Sequence, residues 1–199
     1  MNPVVFRKIK QEIRLIGIDD APFIPRTAGT TRIFGVVCRG SLRIEGILQT
    51  MITIDGLDST QKISEMILNS PHYGQLRVII LAGITFGGFN VVDVNQLFEI
   101  TGLPIIVVCE KQPDLESIKI AIQNTSNWEE RWQLIEASGQ FYEYFPKANV
   151  KNPIFFQITG LDLKDARQIL KISTGVSAIP EPIRVAHMIG RSFLIRQDI

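Results

Sequence analysis

Apolar and polar positions along the chain change period once, near residue 58. Before that point the period is two. Ile13 to Asp20 (IRLIGIDD) reads as a strand ending in two carboxylates, with Asp19 on the face of Ile13, Leu15 and Gly17, and Asp20 on the face of Ile16 and Ile18. Pro22 and Pro25 break the pattern into a loop. A second strand, Ile33 to Cys38, is apolar on both faces. After a short turn, Arg43 to Ile54 alternates Ile44, Leu48 and Ile52 against Glu45, Gln49 and Thr53. The short links predict antiparallel hairpins.

Beyond residue 58 helical spacing alternates with short apolar runs. Asp58 and Gln61 have capping-box spacing before Ile63, Met66 and Ile67, and Asn69-Ser70-Pro71 closes that helix. Val78 to Leu81 is an unbroken apolar run, expected of a strand buried on both faces. It feeds a glycine-rich loop, Gly83 to Asn90. Asp93 and Gln96 then open a helix with Val94, Leu97 and Phe98 inward, ended by Gly102 and Pro104. Ile105 to Cys109 is the next buried strand. Pro113 and Asp114 start a helix, and Trp128, Trp132 and Ile135 mark the core side of a further helical segment. Near the C-terminus, Ile154 to Ile158 reads as an edge strand, Asp162 caps a helix carrying Leu163, Ala166 and Leu170, and Ile179 to Arg191 begins with prolines suited to a helix N-terminus.

Three antiparallel strands followed by alternating helices and strands is the element order of the ribonuclease H-like fold. The expectation is one α/β domain over residues 1–199: a three-layer fold with a mixed sheet of five or more strands, helices on both faces and a C-terminal elaboration. In that layout the first strand lies beside Val78–Leu81, so Asp19 and Asp20 would face the glycine loop at the carboxyl ends of the strands, where open α/β sheets bind ligands.

Composition narrows the partners. With 199 residues and 45% hydrophobic content the chain can bury one sizeable core. A net charge of +1 excludes a strongly basic nucleic-acid glove as the dominant feature, though not a local groove. Cys38 and Cys109 sit singly in apolar runs, as buried reduced thiols do, which fits a cytoplasmic protein. No apolar stretch approaches the ~20 residues needed to cross a bilayer, and no signal peptide is visible. A monomer or weak homodimer is expected.

Four constellations could carry chemistry. Asp19, Asp20, Asp55 or Asp58, and Asp93 are acids at strand ends and loop edges. Converging carboxylates hold Mg²⁺ or Mn²⁺, which could activate water at a phosphodiester; Asp58 and Asp93 are equally placed to cap helices. The glycine loop, with Gly83, Thr85, Phe86, Gly87, Gly88 and Asn90, could cradle phosphate through backbone N–H groups, or be a tight connection with its aromatics in the core. It matches neither the P-loop nor the dinucleotide fingerprint. Phe23, stiffened by Pro22 and Pro25, could stack on a base or anchor its loop. His187 could serve as a general acid or base, with Arg184 one turn before it as a substrate-binding residue.

The segments IGIDD, ITIDGLDST, GITFGGFNVVD and IPEPIRVAH together resemble an archaeal domain-of-unknown-function family (number ninety-nine in that series), the endonuclease dU-like proteins, related to endonuclease V in the ribonuclease H-like superfamily. The resemblance runs from about Ile13 to Arg191. It implies a metal-dependent endonuclease that hydrolyses a phosphodiester in DNA, or alternatively RNA, near a deaminated or damaged base such as uracil. It further implies three acidic ligands: one at the end of the first strand (Asp19 or Asp20), one at the first helix (Asp55 or Asp58), and one directly after the fourth strand. At that last position this chain has Ala82, which cannot bind a metal, so Asp93 would have to replace it. The rival readings are a weak or inactive nucleic-acid or protein interaction module of the same fold, and a nucleotide- or phosphate-binding protein.

Overall fold

A computed structural model of the chain describes residues 3–146 and 152–193. Its first three strands, β1 (Arg14–Asp20), β2 (Thr30–Arg39) and β3 (Arg43–Thr53), form an antiparallel meander. Helix α1 (Ser59–Leu68) leads into β4 (Val78–Ala82), which pairs parallel with β1, setting Ile18 beside Leu81. The glycine loop contains a miniature hairpin, β5 (Thr85–Phe86) with β6 (Asn90–Val91). Helix α2 (Val94–Thr101) returns the chain to β7 (Ile105–Cys109), parallel to β4. Helices α3 (Leu115–Ile122) and α4 (Trp128–Ala137) follow, then β8 (Tyr142–Tyr144), β9 (Ile154–Thr159), α5 (Leu163–Ser173) and α6 (Glu181–Arg191). The sheet has seven strands in the order β3-β2-β1-β4-β7-β9-β8.

The alternation in β1 decides which layer each of its side chains enters. Ile16 and Ile18 join the core beneath α1 and α2, with Ile63, Ile67, Leu97 and Phe98. Leu15 joins the core beneath α5 and α6, with Ile169, Leu170 and Ile183. Each such side chain, fully buried, contributes about 1.5–3 kcal/mol. Helices on both faces of a mixed sheet give the three layers expected from the element order. A third packing unit stands apart from the sheet: Ile122 and Ile135 of α3 and α4 close over Val91, Ile84 and Phe89 of the glycine loop.

Four local expectations need correction. Ile154–Thr159 is interior, paired with both β7 and β8. The rim is the three-residue β8, too short to show a period. Asp58 does not cap α1 through its side chain; it turns back to accept hydrogen bonds from Thr53 N (3.1 Å) and Thr53 Oγ1 (3.0 Å). Asn90 takes over, accepting from the first helical N–H, Ser59, at 3.0 Å while donating to Asp58 at 2.6 Å. Trp128 and Trp132 are only half-buried; the residues that α4 buries are Arg131 and Ile135, because this helix packs against loop backbone rather than an apolar sheet face. Cys38 is buried, whereas Cys109 is only half-buried, and both are free thiols. Among the described residues no helix is long and apolar enough to cross a membrane.

Candidate active site at the carboxyl ends of β1 and β4

Asp19 and Asp20 close β1, and because successive side chains alternate, their carboxylates serve opposite faces of the sheet. Asp19 faces α6. Pro180 stands just before its first residue, Glu181, and Pro182 in the first turn supplies a preset φ where no N–H is needed. The helix lies directly on β1. Gly17 sits beneath Pro182 and Ile183, where any Cβ would collide with their backbone, and Gly190 at the other end would place a Cβ 2.7 Å from the Asp20 carbonyl oxygen. Beyond the helix Phe193 stacks on Phe34 of β2, with ring centroids 5.3 Å apart. Fixed in this way, α6 carries His187 to Asp19: Nδ1 lies 2.8 Å from Oδ2.

The other oxygen of Asp19 accepts the backbone N–H of Asp20 at 2.9 Å. Burial, followed by the adjacent Asp20 charge, pushes the Asp19 carboxyl up to about 6. His187 keeps about half of its side chain in solvent (54%) while the Asp19 side chain is nearly covered (11%). Both line a cavity of about 250 Å³ with Ala82, Gly83, Val108, Cys109, Glu110, Ile179 and Ile183. A buried carboxylate holding one imidazole nitrogen at the mouth of a cavity can orient that ring, the pairing used in general acid–base catalysis.

Asp20 turns the other way and receives the Gly87 N–H at 2.6 Å; burial raises its carboxyl above the usual range, against the pull of that bond. Gly87 (φ 55°) and Gly88 (φ 92°) form the tip of the small hairpin in conformations open to glycine. Asp55 grips the same tip. Its N–H donates to the Gly87 carbonyl at 2.8 Å, and its carboxylate accepts from Phe89 N at 2.8 Å. Gly83 N donates to the Val108 carbonyl. Three of the loop's N–H groups are therefore committed to the protein's own acceptors, so the loop is not a ready-made phosphate cradle.

The remaining expected site residues divide. Asp93 caps α2, accepting from Asn95 N at 3.0 Å and Gln96 N at 2.9 Å, and Asp58 is tied to Thr53 and Asn90, so neither joins Asp19 and His187. Arg184 forms a two-point pair with Glu181 (2.6 and 2.8 Å) and reaches Met188 at 2.8 Å, which spends its guanidinium within its own helix. Phe86 and Asn90 are fully buried and act inside the loop; Thr85 is half-buried in the hairpin ladder. Phe23 lines a second, larger cavity of about 680 Å³ with Arg26, Asp55, Gly88, Phe89, Asn124 and Thr125. The Asp20–Gly87 bond joins the edge of that cavity to the strand end carrying Asp19.

Among the described residues no three His, Cys, Asp or Glu side chains converge as a metal-binding group. The donors do not fit a preformed shell of three carboxylates. They do fit a single Mg²⁺-type ion anchored by Asp19, because such ions are commonly held by one or two carboxylates with water and substrate phosphate completing the shell.

Two residues were not anticipated. Glu110 reaches the Asp19 cavity from the end of β7, a position deducible only once β7 is known to lie beside β4. Arg131 is the largest fully buried side chain among the described residues and bonds four backbone carbonyls. Its i, i+4 spacing to Ile135 was the available sign that it faces inward.

Fold and site together define an α/β protein of the ribonuclease H-like class, with its candidate pair, Asp19 at the end of β1 and His187 on α6, meeting beside the end of β4. Endonuclease V from Ciona intestinalis, solved with a DNA containing an inosine followed by a ribo-adenosine, shares this fold at 16% identity, with a TM-score of 0.60 and coverage of 90% of this chain and 84% of that one. The chain itself belongs to the endonuclease dU family, whose profile matches residues 11–194. A UPF0215 protein of Methanothermobacter thermautotrophicus is 48% identical over 185 residues, covering 92% of this chain and 89% of that protein. A protein of unknown function from Archaeoglobus fulgidus has a crystal structure that superimposes with a TM-score of 0.81 at 34% identity, covering 92% and 98% of the two chains.

Proposed function

We propose that this protein is a divalent-metal-dependent endonuclease, a hydrolase that cuts a phosphodiester in cellular nucleic acid near a deaminated or otherwise altered base, uracil in DNA among them. The observation that carries the reading is the Asp19–His187 pair, 2.8 Å apart at the mouth of a cavity where β1 and β4 end. Family membership and the endonuclease V fold support a nuclease; the altered base, DNA rather than RNA, the metal and a cytoplasmic setting belong to the proposal.

In this reading Asp19 anchors Mg²⁺ or Mn²⁺, which when bound supplies positive charge to the phosphate and acidifies water. Asp19 also holds the His187 ring through Nδ1, so that the exposed imidazole can take a proton from the attacking water or return one to the leaving oxygen. Asp20 keeps the Gly87–Gly88 tip in place. The cavity bearing Phe23 and Phe89 offers aromatic faces beside polar Asp55, Asn124 and Thr125, suited to one base taken out of its stack.

The test uses purified protein with Mn²⁺ and with Mg²⁺ on uracil-, hypoxanthine- and abasic-containing strands and unmodified controls, as DNA and as RNA. Wild type should nick altered strands and Asp19→Ala should not. Intact altered strands under every condition would sink the reading. Ala82, and the structural employment of Asp58 and Asp93, favour a second one: a binding module without cleavage. That reading predicts nucleic-acid retention that survives EDTA and the Asp19→Asn change.

A further inference from the structure

Arg131 is 1% exposed, and among the described residues no carboxylate lies in salt-bridge contact with it. All its observed bonds go to main-chain carbonyls: Nε to Ser126 (3.0 Å), Nη1 to Gly56 (2.8 Å) and to Phe89, and Nη2 to Asp55 (2.6 Å). These carbonyls belong to three separate segments: the β3–α1 loop, the glycine hairpin and the α3–α4 turn. Asp55, Phe89 and Ser126 all line the 680 Å³ cavity. Of the three non-glycine residues with positive φ among the described residues, two stand on the segments that Arg131 holds, Asp55 (51°) itself and Asn127 (54°) directly after Ser126. Such conformations cost about 1–3 kcal/mol each and persist only where the surroundings over-determine them.

Stability alone does not explain this choice. Burying a guanidinium carries a desolvation penalty that a well-packed apolar residue of similar size avoids, and such replacements are often neutral or stabilising. What an apolar residue cannot do is fix three backbone segments at defined hydrogen-bond angles. A rigid planar fork with five donors can.

We infer that Arg131 is a positioning residue: it presets the cavity lined by Phe23, Asp55, Phe89 and Thr125 so that one unstacked nucleobase is received and told apart from others, without touching it. The inference rests on the nuclease reading for the identity of the ligand but not for the clamp. Deleting the guanidinium should loosen the three segments together. Because the strand end carrying Asp19 is not held by Arg131, recognition should suffer more than the chemical step.

The full-length chain is compared as wild type, Arg131→Ala and Arg131→Lys by amide hydrogen exchange, and by steady-state cleavage of altered and unaltered strands, each with and without low-millimolar guanidinium. In Arg131→Ala, exchange should rise in residues 54–56, 87–89 and 124–127 together, with β1, β4 and α6 unchanged. KM for the altered strand should rise by about tenfold to a hundredfold with kcat nearly constant, so that discrimination between the strands falls. Guanidinium should restore both signatures in Arg131→Ala. Arg131→Lys should remain impaired, because an ammonium lacks the planar fork.

Unchanged exchange in the three segments overturns the clamp. Loosened segments with discrimination intact leave Arg131 a structural staple and overturn its role in recognition. If Arg131→Ala does not fold, Arg131→Lys carries the same comparison, and wild-type exchange or discrimination in it overturns the inference. If wild type itself neither binds nor cuts any strand, the nuclease reading fails and the role in recognition falls with it, while the exchange data still decide whether Arg131 presets the cavity.

Discussion

His187 meets Asp19 at 2.8 Å across 168 residues of sequence, the last helix returning to the first strand to complete a two-residue unit. Asp19 faces the same cavity as His187 while Asp20 is turned to the opposite face, so the pair of adjacent carboxylates at the end of β1 divides its labour. Removing the imaginary symmetry between them makes the single substitutions informative.

His187→Ala should lower the cleavage rate by about 10²–10⁴-fold, the usual contribution of a positioned acid or base. The melting temperature should hardly move, since more than half of the imidazole is in solvent. Asp20→Ala should instead release the Gly87 N–H and loosen the hairpin. Cleavage assays read beside thermal unfolding separate the two.

Asp19 carries a stability penalty with a defined pH window. Its carboxyl stands at about 6 in the fold against an ordinary 3.8, so between those values the folded chain keeps a proton that the unfolded chain has lost. Stability therefore falls as pH rises through that window and stays lower above it, by up to about 3 kcal/mol. Asp19→Asn should remove this dependence in EDTA, melting several degrees above wild type at pH 7.5 and close to it at pH 4, at about 2–4 °C per kcal/mol for a chain of this size.

A metal bound at Asp19 acts with the opposite sign. Mg²⁺ or Mn²⁺ at about 100 times its dissociation constant should stabilise wild type by about 2.7 kcal/mol. The shift should be larger at pH 7.5 than at pH 5, where protonation of Asp19 competes, and absent in Asp19→Asn. Differential scanning fluorimetry with and without EDTA decides it. A shift that persists in Asp19→Asn would locate the ion elsewhere.

Asp93 should behave as a helix cap. Asp93→Ala should cost about 1 kcal/mol of stability and leave the metal-induced melting shift of the protein intact. Loss of that shift would return Asp93 to the ligand set.

Most of the layer structure was legible because it follows from periodicity. The unbroken apolar runs at Val78–Leu81 and Ile105–Cys109, and the alternation of Ile13–Asp20, each have one comfortable environment. The parallel pairing of β1 with β4 follows from the element order, and with it the meeting of Asp19 and the glycine loop. What could not be read was how polar groups choose partners once the chain is folded. Asp58 and Asp93 have the same spacing to a glutamine, yet only Asp93 caps its helix. Asn90, 31 residues away from Ser59, takes that position at α1. Arg131 drew no reading at all, because sequence pattern registers apolar partners and is blind to a cluster of carbonyls. Arg184, expected to bind substrate, pairs instead with Glu181 one turn before it, a partner the residue types alone do not select.

The seat of α6 on β1 is set by two missing methyl groups. Gly17 and Gly190 let α6 rest on the backbone of β1 at both ends, without a layer of side chains between them. The gap between His187 and Asp19 is thus gauged from below, by bare main chain, rather than by anything in the cavity. A single carbon added at Gly17 would act as a shim, lifting the helix by about 1 Å, a displacement large enough to cost about a hundredfold in rate. Gly17→Ala, outside the lining of the cavity, should therefore resemble a loss of the imidazole more than a packing defect.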